Sequence, residues 1–314
     1  MLKVKVAIIG AGYMAAEHMK AFADIAEVTI AGIFSKTRGK AENLAASFPD
    51  TMVCDSIEEL YYKTKADIVI IAASITSTKS ISAECFKYPW VCFFEKPLGL
   101  NLGEAIEIHD IAQQLSAKAF VLLNRRHYAS TGEVMSDLNN VPGKRLIYVQ
   151  DQEDIQVQRE AGTPKPIIDN WMYANAIHLI DYFSFIGRGS IMEVQNIVKW
   201  DPASPEFVFA SILYTSGDIG MYEAVWNAPG PWAVSITTNA RRWEMKPLET
   251  AAYQDYRSRT LIPMPLDTHD TRFKPGLRKQ AEQVVNMVTG KAHSLPSLKD
   301  ALDTMRLVNA IYGV

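Results

Sequence analysis

The sequence lacks several features that would point to a specialised class of protein. Only three of its 314 residues are cysteines, and Cys54, Cys85 and Cys92 have no metal-ligand spacing and stand in or beside apolar segments. We therefore expect buried, reduced thiols and no metal site. Low-complexity tracts are also absent, so the composition is that of an ordinary globular protein.

Charge and hydrophobic runs exclude two further classes. A net charge of −3 provides no broad basic face, which argues against a dedicated nucleic-acid binder. The longest apolar runs, 4–12 and 68–73, are far shorter than the roughly 20 residues that cross a bilayer, so we expect no membrane partner. The chain begins with a strand pattern and shows no signal-peptide cleavage site, and we expect a cytoplasmic protein.

The first part of the chain alternates short apolar strands with helical segments. The predicted strands are 5–9, 28–34, 68–72, 91–94 and 119–123, and the predicted helices between them are 14–25, 39–47, 77–87 and 102–115. Continuous apolar strands that alternate with helices are typical of a parallel, doubly wound sheet. The pattern predicts an α/β Rossmann domain over residues 1–123.

From residue 124 the pattern changes to that of an α+β domain. A helix at 168–186 precedes alternating segments at 193–199, 207–214, 219–226, 233–238 and 242–245, which indicate a large, mostly antiparallel open sheet. A long excursion over 247–275 and helices at 277–289 and 298–311 follow. We predict a domain for substrate binding and oligomerisation over 124–296, and a C-terminal helix, 297–314, that packs near the Rossmann domain.

A glycine-rich turn follows the first strand. Its sequence matches the G-x-G-x-x-G/A fingerprint, in which Gly10 permits a tight turn, Gly12 lets the backbone approach a pyrophosphate, and Ala15 allows close helix packing. The helix that starts here, at Tyr13 and Met14, presents free amides and a positive dipole end to phosphates. The motif predicts a bound nicotinamide dinucleotide; the alternative is a structural turn without a cofactor.

The segment after the second strand indicates which dinucleotide binds. NAD-type sites have a carboxylate there, whereas this chain has Ser35, Lys36, Thr37 and Arg38 and no acid before Glu42. These hydroxyls and cations suit a 2′-phosphate, which a carboxylate would repel. NADP(H) is therefore favoured, and NAD(H) remains possible if the basic residues are only the solvated start of a helix.

Two further segments carry groups for proton chemistry. Glu95 and Lys96 follow the fifth strand, at the sheet edge where ligands bind, although a surface ion pair is the alternative. In the 168–186 helix, Asn175, His178 and Asp181 lie on one side with Trp171. An imidazole or a lysine can accept the hydroxyl proton that hydride transfer releases; the alternative is a buried histidine satisfied by Asp181.

Three motifs occur in this order: the glycine turn, Glu95-Lys96-Pro97 and His178-x-x-Asp181. With them, the sequence resembles the glucose-fructose oxidoreductase, inositol dehydrogenase and MocA family of NAD(P)-dependent oxidoreductases. The resemblance covers nearly the whole chain, including 273–276 and 298–311. It implies that Lys96 contacts both the cofactor and the substrate hydroxyl, that Pro97 fixes the local backbone, and that His178 is the acid–base group. It also implies a set of residues beside the cofactor or the cleft: Ala73, Ser74, Thr76, Glu95, Asn124 and Arg125.

The chain departs from the family pattern at two places. Many members carry an aspartate four residues before the histidine, where this chain has Ala174. The loop after the fourth strand has Ile75, Thr76 and Lys79 in place of the usual proline and histidine. Helices with Asn-x-x-His occur in members tied to sugar modification, which favours a sugar or nucleotide-sugar substrate.

We therefore expect an enzyme that moves a hydride between the nicotinamide and a hydroxyl-bearing carbon of a sugar, polyol or nucleotide sugar. Trp171, Trp226 or Trp232 is expected to provide a stacking face in the substrate cleft. The alternatives are a catalytically silent sensor, favoured by Ala174, and an enzyme that uses bound NAD(P) for transient oxidation. The resemblance further implies a homodimer or homotetramer.

Overall fold

The computed structural model describes residues 3–314, which form two compact units. Unit 1 contains residues 3–124 and His269–Leu302, and unit 2 contains Arg125–Thr268 and Asp303–Val314. The first boundary lies one residue from the predicted one, and the first two residues of the predicted first domain lie outside the described residues. Residues 269–296, which we assigned to the second domain, belong to unit 1, and the predicted segment 297–314 is divided between the units.

The strands and helices are numbered in chain order. The strands are Val4–Ile9 (β1), Val28–Phe34 (β2), Met52–Cys54 (β3), Ile68–Ile71 (β4), Val91–Glu95 (β5), Ala119–Leu122 (β6), Leu146–Glu153 (β7), Ile191–Val198 (β8), Phe207–Tyr214 (β9), Ile219–Trp226 (β10), Ala233–Thr237 (β11), Arg241–Met245 (β12), Ala252–Asp255 (β13) and Ile262–Pro263 (β14). The α-helices are Tyr13–Ala23 (α1), Arg38–Ala45 (α2), Ile57–Thr64 (α3), Thr78–Cys85 (α4), Leu102–Gln114 (α5), Ala129–Leu138 (α6), Ile155–Glu160 (α7), Lys165–Asp169 (α8), Ile177–Ile186 (α9), His269–Arg272 (α10), Leu277–Val288 (α11) and Leu298–Tyr312 (α12).

Unit 1 is built on a parallel sheet of strand order β3-β2-β1-β4-β5-β6. The order reverses between β1 and β4, and this switch point is where doubly wound sheets bind ligands beyond the carboxyl ends of their strands. The apolar strands are buried, as the continuous apolar runs predicted. The fold confirms the predicted doubly wound domain, although β3 and α3 had not been predicted.

The returning segment of unit 1 completes its core. Helix α11 lies beside α1 and contributes Leu277, Ala281 and Val284 to the apolar cluster around β1 and β2. This packing explains why residues 269–302 belong to the first unit although they follow the second in sequence. The thiols of Cys54, Cys85 and Cys92 are buried, as expected.

Unit 2 contains a mixed sheet of order β14-β13-β12-β11-β7-β10-β9-β8, in which only β7 and β10 are paired in parallel among the described strands. This confirms the predicted large, mostly antiparallel sheet. Its central strand, β7, was not predicted, and neither was α6. Helix α9 packs on β7, and one face of the sheet therefore carries the apolar core of unit 2.

The helix predicted over 168–186 is interrupted. Helix α8 ends at Asp169, a π-helical turn spans Met172–Ala176, and α9 continues to Ile186. A π-helical turn adds a residue to the helical repeat and is often found at functional sites. Within residues 3–314, no helix combines the length and the apolar character that a membrane span requires.

Candidate functional site

The glycine turn links β1 to α1 as predicted. Gly10 has a φ of +113°, and a Cβ atom there would lie 2.2 Å from the carbonyl oxygen of Ala72, so only glycine fits. Gly12 has an extended backbone, and a Cβ atom there would meet nothing within 4 Å. The backbone at Gly12 is therefore open to an approaching group at the N-terminus of α1, where amides and the helix dipole favour phosphate.

A cleft of about 250 Å³ opens beside this turn, between the ends of β1, β2 and β4. We call it the glycine-turn cleft. It is lined by Ile9, Gly10, Ala11, Gly12, Phe34, Ser35, Lys36, Thr37, Lys40, Ala72, Ala73, Ser74, Ser77 and Ile81. The structure thus brings most of the predicted cofactor residues of the first four strands to one place. Ser77 and Lys40 also line it; neither was among the predicted contacts, although Lys40 stands in the basic run that raised the question of a 2′-phosphate.

The basic residues after β2 differ in their surroundings. Lys36 donates a hydrogen bond to the Ser77 hydroxyl at 3.3 Å, inside the glycine-turn cleft. Arg38 instead pairs with Glu42 at 2.8 Å and with Asp55, and it does not line the cleft. The cations that line the cleft are therefore Lys36 and Lys40, and no carboxylate is among its described lining residues.

Other predicted residues of unit 1 lie near the same strand ends. Tyr13 is exposed, with the Lys274 ammonium group 5.4 Å from its ring centre. The hydroxyls of Ser74 and Thr76 lie 3.0 Å apart. Asn124 is buried and donates a hydrogen bond to the carbonyl oxygen of Pro275 at 3.1 Å.

The last residue of β5 makes an unexpected contact. Glu95 Oε1 lies 2.5 Å from Nε2 of the buried His18, on α1. The Lys96–Pro97 peptide bond is cis. Sequence reasoning missed His18 because its partner is 77 residues away, and no local pattern marks that contact.

The histidine helix is held by a buried carboxylate of β7. Trp171 Nε1 and Asn175 Nδ2 both donate to Oε2 of Glu153, at 2.6 and 2.8 Å. They stand four residues apart across the π-helical turn, so one acceptor reaches both. His178, one turn further on, is 9% exposed. Glu153 had not been predicted, because β7 itself was missed.

An aromatic and cationic group lies beside His178. The Trp232 ring centre is 6.3 Å from that of His178, and the Arg125 guanidinium carbon is 4.8 Å from the Trp232 ring centre. Trp232 is held in place because its Nε1 donates to the carbonyl oxygen of Gln152 at 2.8 Å. Unit 2 thus combines an imidazole, an indole face and a cation.

Asp181 and Trp226, two of the predicted site residues of unit 2, are engaged in buried contacts of the fold. Both carboxylate oxygens of Asp181 accept hydrogen bonds from Arg126, at 2.7 and 2.6 Å, and Thr304 also donates to Asp181. Trp226 is buried against Trp200 and Tyr312, so its ring offers no open stacking face in this conformation. Trp171 and Trp232 remain half-buried and suited to that role.

Burial perturbs two carboxyl groups of β7. Burial raises the pKa of Asp151 to about 6, and burial together with the adjacent Asp151 raises the pKa of Glu153 well above its usual value. Both side chains face the helix side of the sheet, because they alternate with the half-buried Gln150 and Gln152 along β7. The sequence did carry a signal for this pair, because two acids that stand two residues apart lie on the same face of a strand.

Comparison with known proteins agrees with this fold. Residues 4–123 match the family described as "Oxidoreductase family, NAD-binding Rossmann fold", abbreviated GFO_IDH_MocA. An inositol 2-dehydrogenase of Paenarthrobacter aurescens is 27% identical over 99% of this chain and 95% of its own length. A glucose-6-phosphate 3-dehydrogenase of Bacillus subtilis is 27% identical over 45% of this chain and 40% of its own.

Solved structures show the same fold over the whole chain. A UDP-N-acetylglucosamine 3-dehydrogenase of Acidithiobacillus ferrooxidans aligns with a TM-score of 0.80 at 15% identity, covering 100% of this chain and 98% of its own. GenD2 from gentamicin A biosynthesis, solved in complex with NAD, aligns with a TM-score of 0.72 at 16% identity, covering 100% and 94%. At such identities the likeness concerns the fold alone.

The matched family model describes an NAD-binding Rossmann fold, which agrees with the doubly wound sheet and the open glycine turn of unit 1. The match over residues 4–123 agrees with the family that the motifs of the sequence resemble, the glucose-fructose oxidoreductase, inositol dehydrogenase and MocA family.

Proposed function

We propose that this protein is a dehydrogenase or reductase that transfers a hydride between a nicotinamide dinucleotide and a hydroxyl-bearing carbon of a sugar, polyol or nucleotide sugar. The observation that carries the proposal is the open backbone at Gly12, at the N-terminus of α1 and in the wall of the glycine-turn cleft. The named activities of the relatives, on inositol, glucose 6-phosphate and UDP-N-acetylglucosamine, support the substrate class.

The residues of the cleft fit the dinucleotide. The amides at the start of α1 would hold the pyrophosphate, and Ser35, Lys36, Thr37 and Lys40 would surround the adenosine ribose. With two ammonium groups and no lining carboxylate, this region favours the 2′-phosphate of NADP(H) over NAD(H). When bound, the nicotinamide supplies the hydride acceptor or donor.

Lys96 and His178 are assigned the proton chemistry. Lys96 donates a hydrogen bond to the substrate oxygen and stabilises negative charge that develops there. His178 accepts the hydroxyl proton during oxidation and returns it during reduction. The Trp232 face and the Arg125 guanidinium beside His178 suit a carbohydrate ring and an anionic substituent. This assignment requires no acid at position 174.

The test combines binding with turnover. NADPH and NADH are titrated calorimetrically into the protein, and nicotinamide absorbance is then followed with a panel of polyols, sugars and nucleotide sugars. We expect tighter binding of NADPH and turnover of at least one carbohydrate class. Binding without turnover would favour a sensor, cofactor that co-purifies and returns to its starting redox state would favour transient oxidation, and no binding of either nucleotide would contradict the proposal.

Variants then test the assigned roles. Lys96→Met and His178→Asn should each lower kcat by about a hundredfold or more, since each removes a group that acts on the substrate hydroxyl. His109→Asn, in α5, is the matched control and should retain full turnover. If His178→Asn turned over at the wild-type rate, the acid–base assignment would be wrong.

A further inference from the structure

Two carboxyl groups lie side by side inside unit 2. Asp151 and Glu153 stand two residues apart on the same face of β7, and both are at most 1% exposed. Removing two such groups from water is costly unless each oxygen gains a partner or a proton. The hydrogen-bond partners of the two carboxyl groups therefore indicate whether they carry a proton.

The hydrogen bonds leave one oxygen of each carboxyl group unsatisfied. Oε2 of Glu153 accepts from Trp171 and Asn175, and Oδ2 of Asp151 accepts from the Tyr222 hydroxyl at 2.8 Å. Oδ1 of Asp151 and Oε1 of Glu153 are buried and have no donor among the described residues. Because both oxygens belong to neighbouring side chains on one face of β7, a single proton held between the two carboxyl groups would give each of these oxygens a partner.

The surrounding charges are consistent with one proton. The charged and titratable groups that face the pair are Tyr222 on β10, Tyr312 on α12 and Arg125. The charge of Arg125 acts on Asp151. The Tyr222 and Tyr312 hydroxyls lie 2.9 Å apart, and burial raises the pKa of both, so they stay neutral. Two carboxyl groups with one proton carry one negative charge, and the positive charge of Arg125 favours it.

The pair is joined to the histidine helix. Trp171 and Asn175 are neutral donors that hold the π-helical turn onto Glu153, and His178 follows Asn175 by one turn. If the shared proton were lost, two adjacent buried carboxylates would repel each other, and Glu153 would shift relative to Trp171 and Asn175. The position of His178 then depends on the proton.

We propose that Asp151 and Glu153 share one proton and act as a positioning pair, in which Glu153 fixes the turn before His178 only while that proton is held. This inference rests on the proposed function, because it takes His178 as the proton-exchanging group. Neither residue is assigned contact with the substrate. The consequence is a loss of turnover on the alkaline side that originates in β7.

Replacing the carboxyl group of Glu153 with an amide tests this positioning role. In Glu153→Gln the amide oxygen can still accept from Trp171 and Asn175, while its N–H donates permanently to Asp151. We expect kcat near neutral pH to stay within about threefold of wild type and the alkaline decline in the pH–rate profile to move to higher pH. Glu153→Ala removes both anchors and should lower kcat about tenfold to a hundredfold, since small displacements of a reacting group cost that much.

Infrared spectroscopy gives a readout that does not depend on turnover. In wild-type protein without cofactor, a carbonyl band of a protonated carboxyl group should persist at neutral pH and vanish on alkaline titration. Glu153→Gln should lack the band. Glu223→Gln, on the neighbouring strand β10 and hydrogen-bonded to Tyr148 on the other face of the sheet, is the matched control and should keep the band and the wild-type pH profile.

The outcomes separate the two proposals. Absence of the band in wild-type protein at neutral pH would overturn the shared proton. A wild-type pH profile in folded Glu153→Gln would overturn the positioning role. If wild-type protein turned over no carbohydrate, the proposed function would fail, while the infrared band would still decide whether the proton is shared.

Discussion

At the scale of single residues, the surroundings of a side chain decide whether it can serve a ligand. Lys36, Arg38 and Lys40 look equivalent in the sequence. In the structure Arg38 is engaged by Glu42 and Asp55 on the surface, whereas the two lysines line the glycine-turn cleft. Cofactor selectivity is therefore expected to depend on the lysines.

Lys36→Ala and Lys40→Ala should each weaken NADPH binding about tenfold, the effect of losing one charge-assisted contact, and leave NADH binding almost unchanged. Calorimetric titration of both nucleotides measures this selectivity. Arg38→Ala is the control and should have a smaller effect on NADPH. Equal weakening of NADPH and NADH by the lysine variants would show that they do not contact a 2′-phosphate.

The buried carboxyl pair should make stability depend on pH. The pKa of Asp151 is raised in the folded protein to about 6, from about 3.9 in an unfolded chain, so the folded state binds more protons in between. The stabilising contribution is full below about pH 4 and is lost as the pH rises through 6, by on the order of 3 kcal/mol. Urea unfolding at stepped pH, compared between wild type and Asp151→Asn, isolates this contribution. A constant difference between the two across pH 4 to 8 would contradict it.

At the scale of elements, the glycine turn places a residue that the fold requires next to a residue that is open to a ligand. Gly10 is required by its positive φ and by Ala72, whereas Gly12 borders open space. The segment from α8 to α9 is similar, because its π-helical turn directs Trp171 and Asn175 to one acceptor, Glu153, just before His178.

Substitutions at the two glycines should therefore separate stability from binding. Gly10→Ala should lower the free energy of unfolding by about 2 kcal/mol or more, since alanine is strained at that φ and meets a backbone oxygen. Gly12→Val should change stability by less than about 0.5 kcal/mol and weaken both nucleotides by filling the phosphate approach. Denaturant melts and nucleotide titrations of the two variants measure the contrast. Retained nucleotide affinity in Gly12→Val would argue against pyrophosphate at this turn.

At the scale of the whole molecule, one face of the sheet in unit 2 is covered and the other carries exposed apolar side chains. Leu146, Ile219 and Leu213 lie in one row across β7, β10 and β9, and each is at least 36% exposed. Aligned apolar side chains on an open sheet face are typical of an interface between subunits. They support the expected homodimer or homotetramer.

Leu213→Glu should shift the protein toward a smaller species, because burying an unpaired carboxylate in such an interface is costly. Sedimentation velocity over a concentration series measures the change. Leu115→Glu, an exposed leucine just beyond α5 in unit 1, is the control and should leave the assembly intact. A wild-type monomer at all concentrations would contradict the prediction.

Local periodicity and short motifs in the sequence were enough to predict part of the architecture. The β1–Gly10–α1 turn and the alternating apolar strands predicted the doubly wound sheet and the open sheet. These signals lie within about ten residues of chain, so no tertiary information was needed to recognise them.

Contacts between groups that are far apart in the sequence could be read only from the folded chain. The return of α11 to the first unit, the engagement of Arg38 by Asp55 and the contact of His18 with Glu95 depend on packing that local patterns do not encode. The carboxyl pair of β7 is the clearest case: its acids are readable in the sequence, but their burial against the histidine helix, which gives them a proton to share, follows from the fold alone.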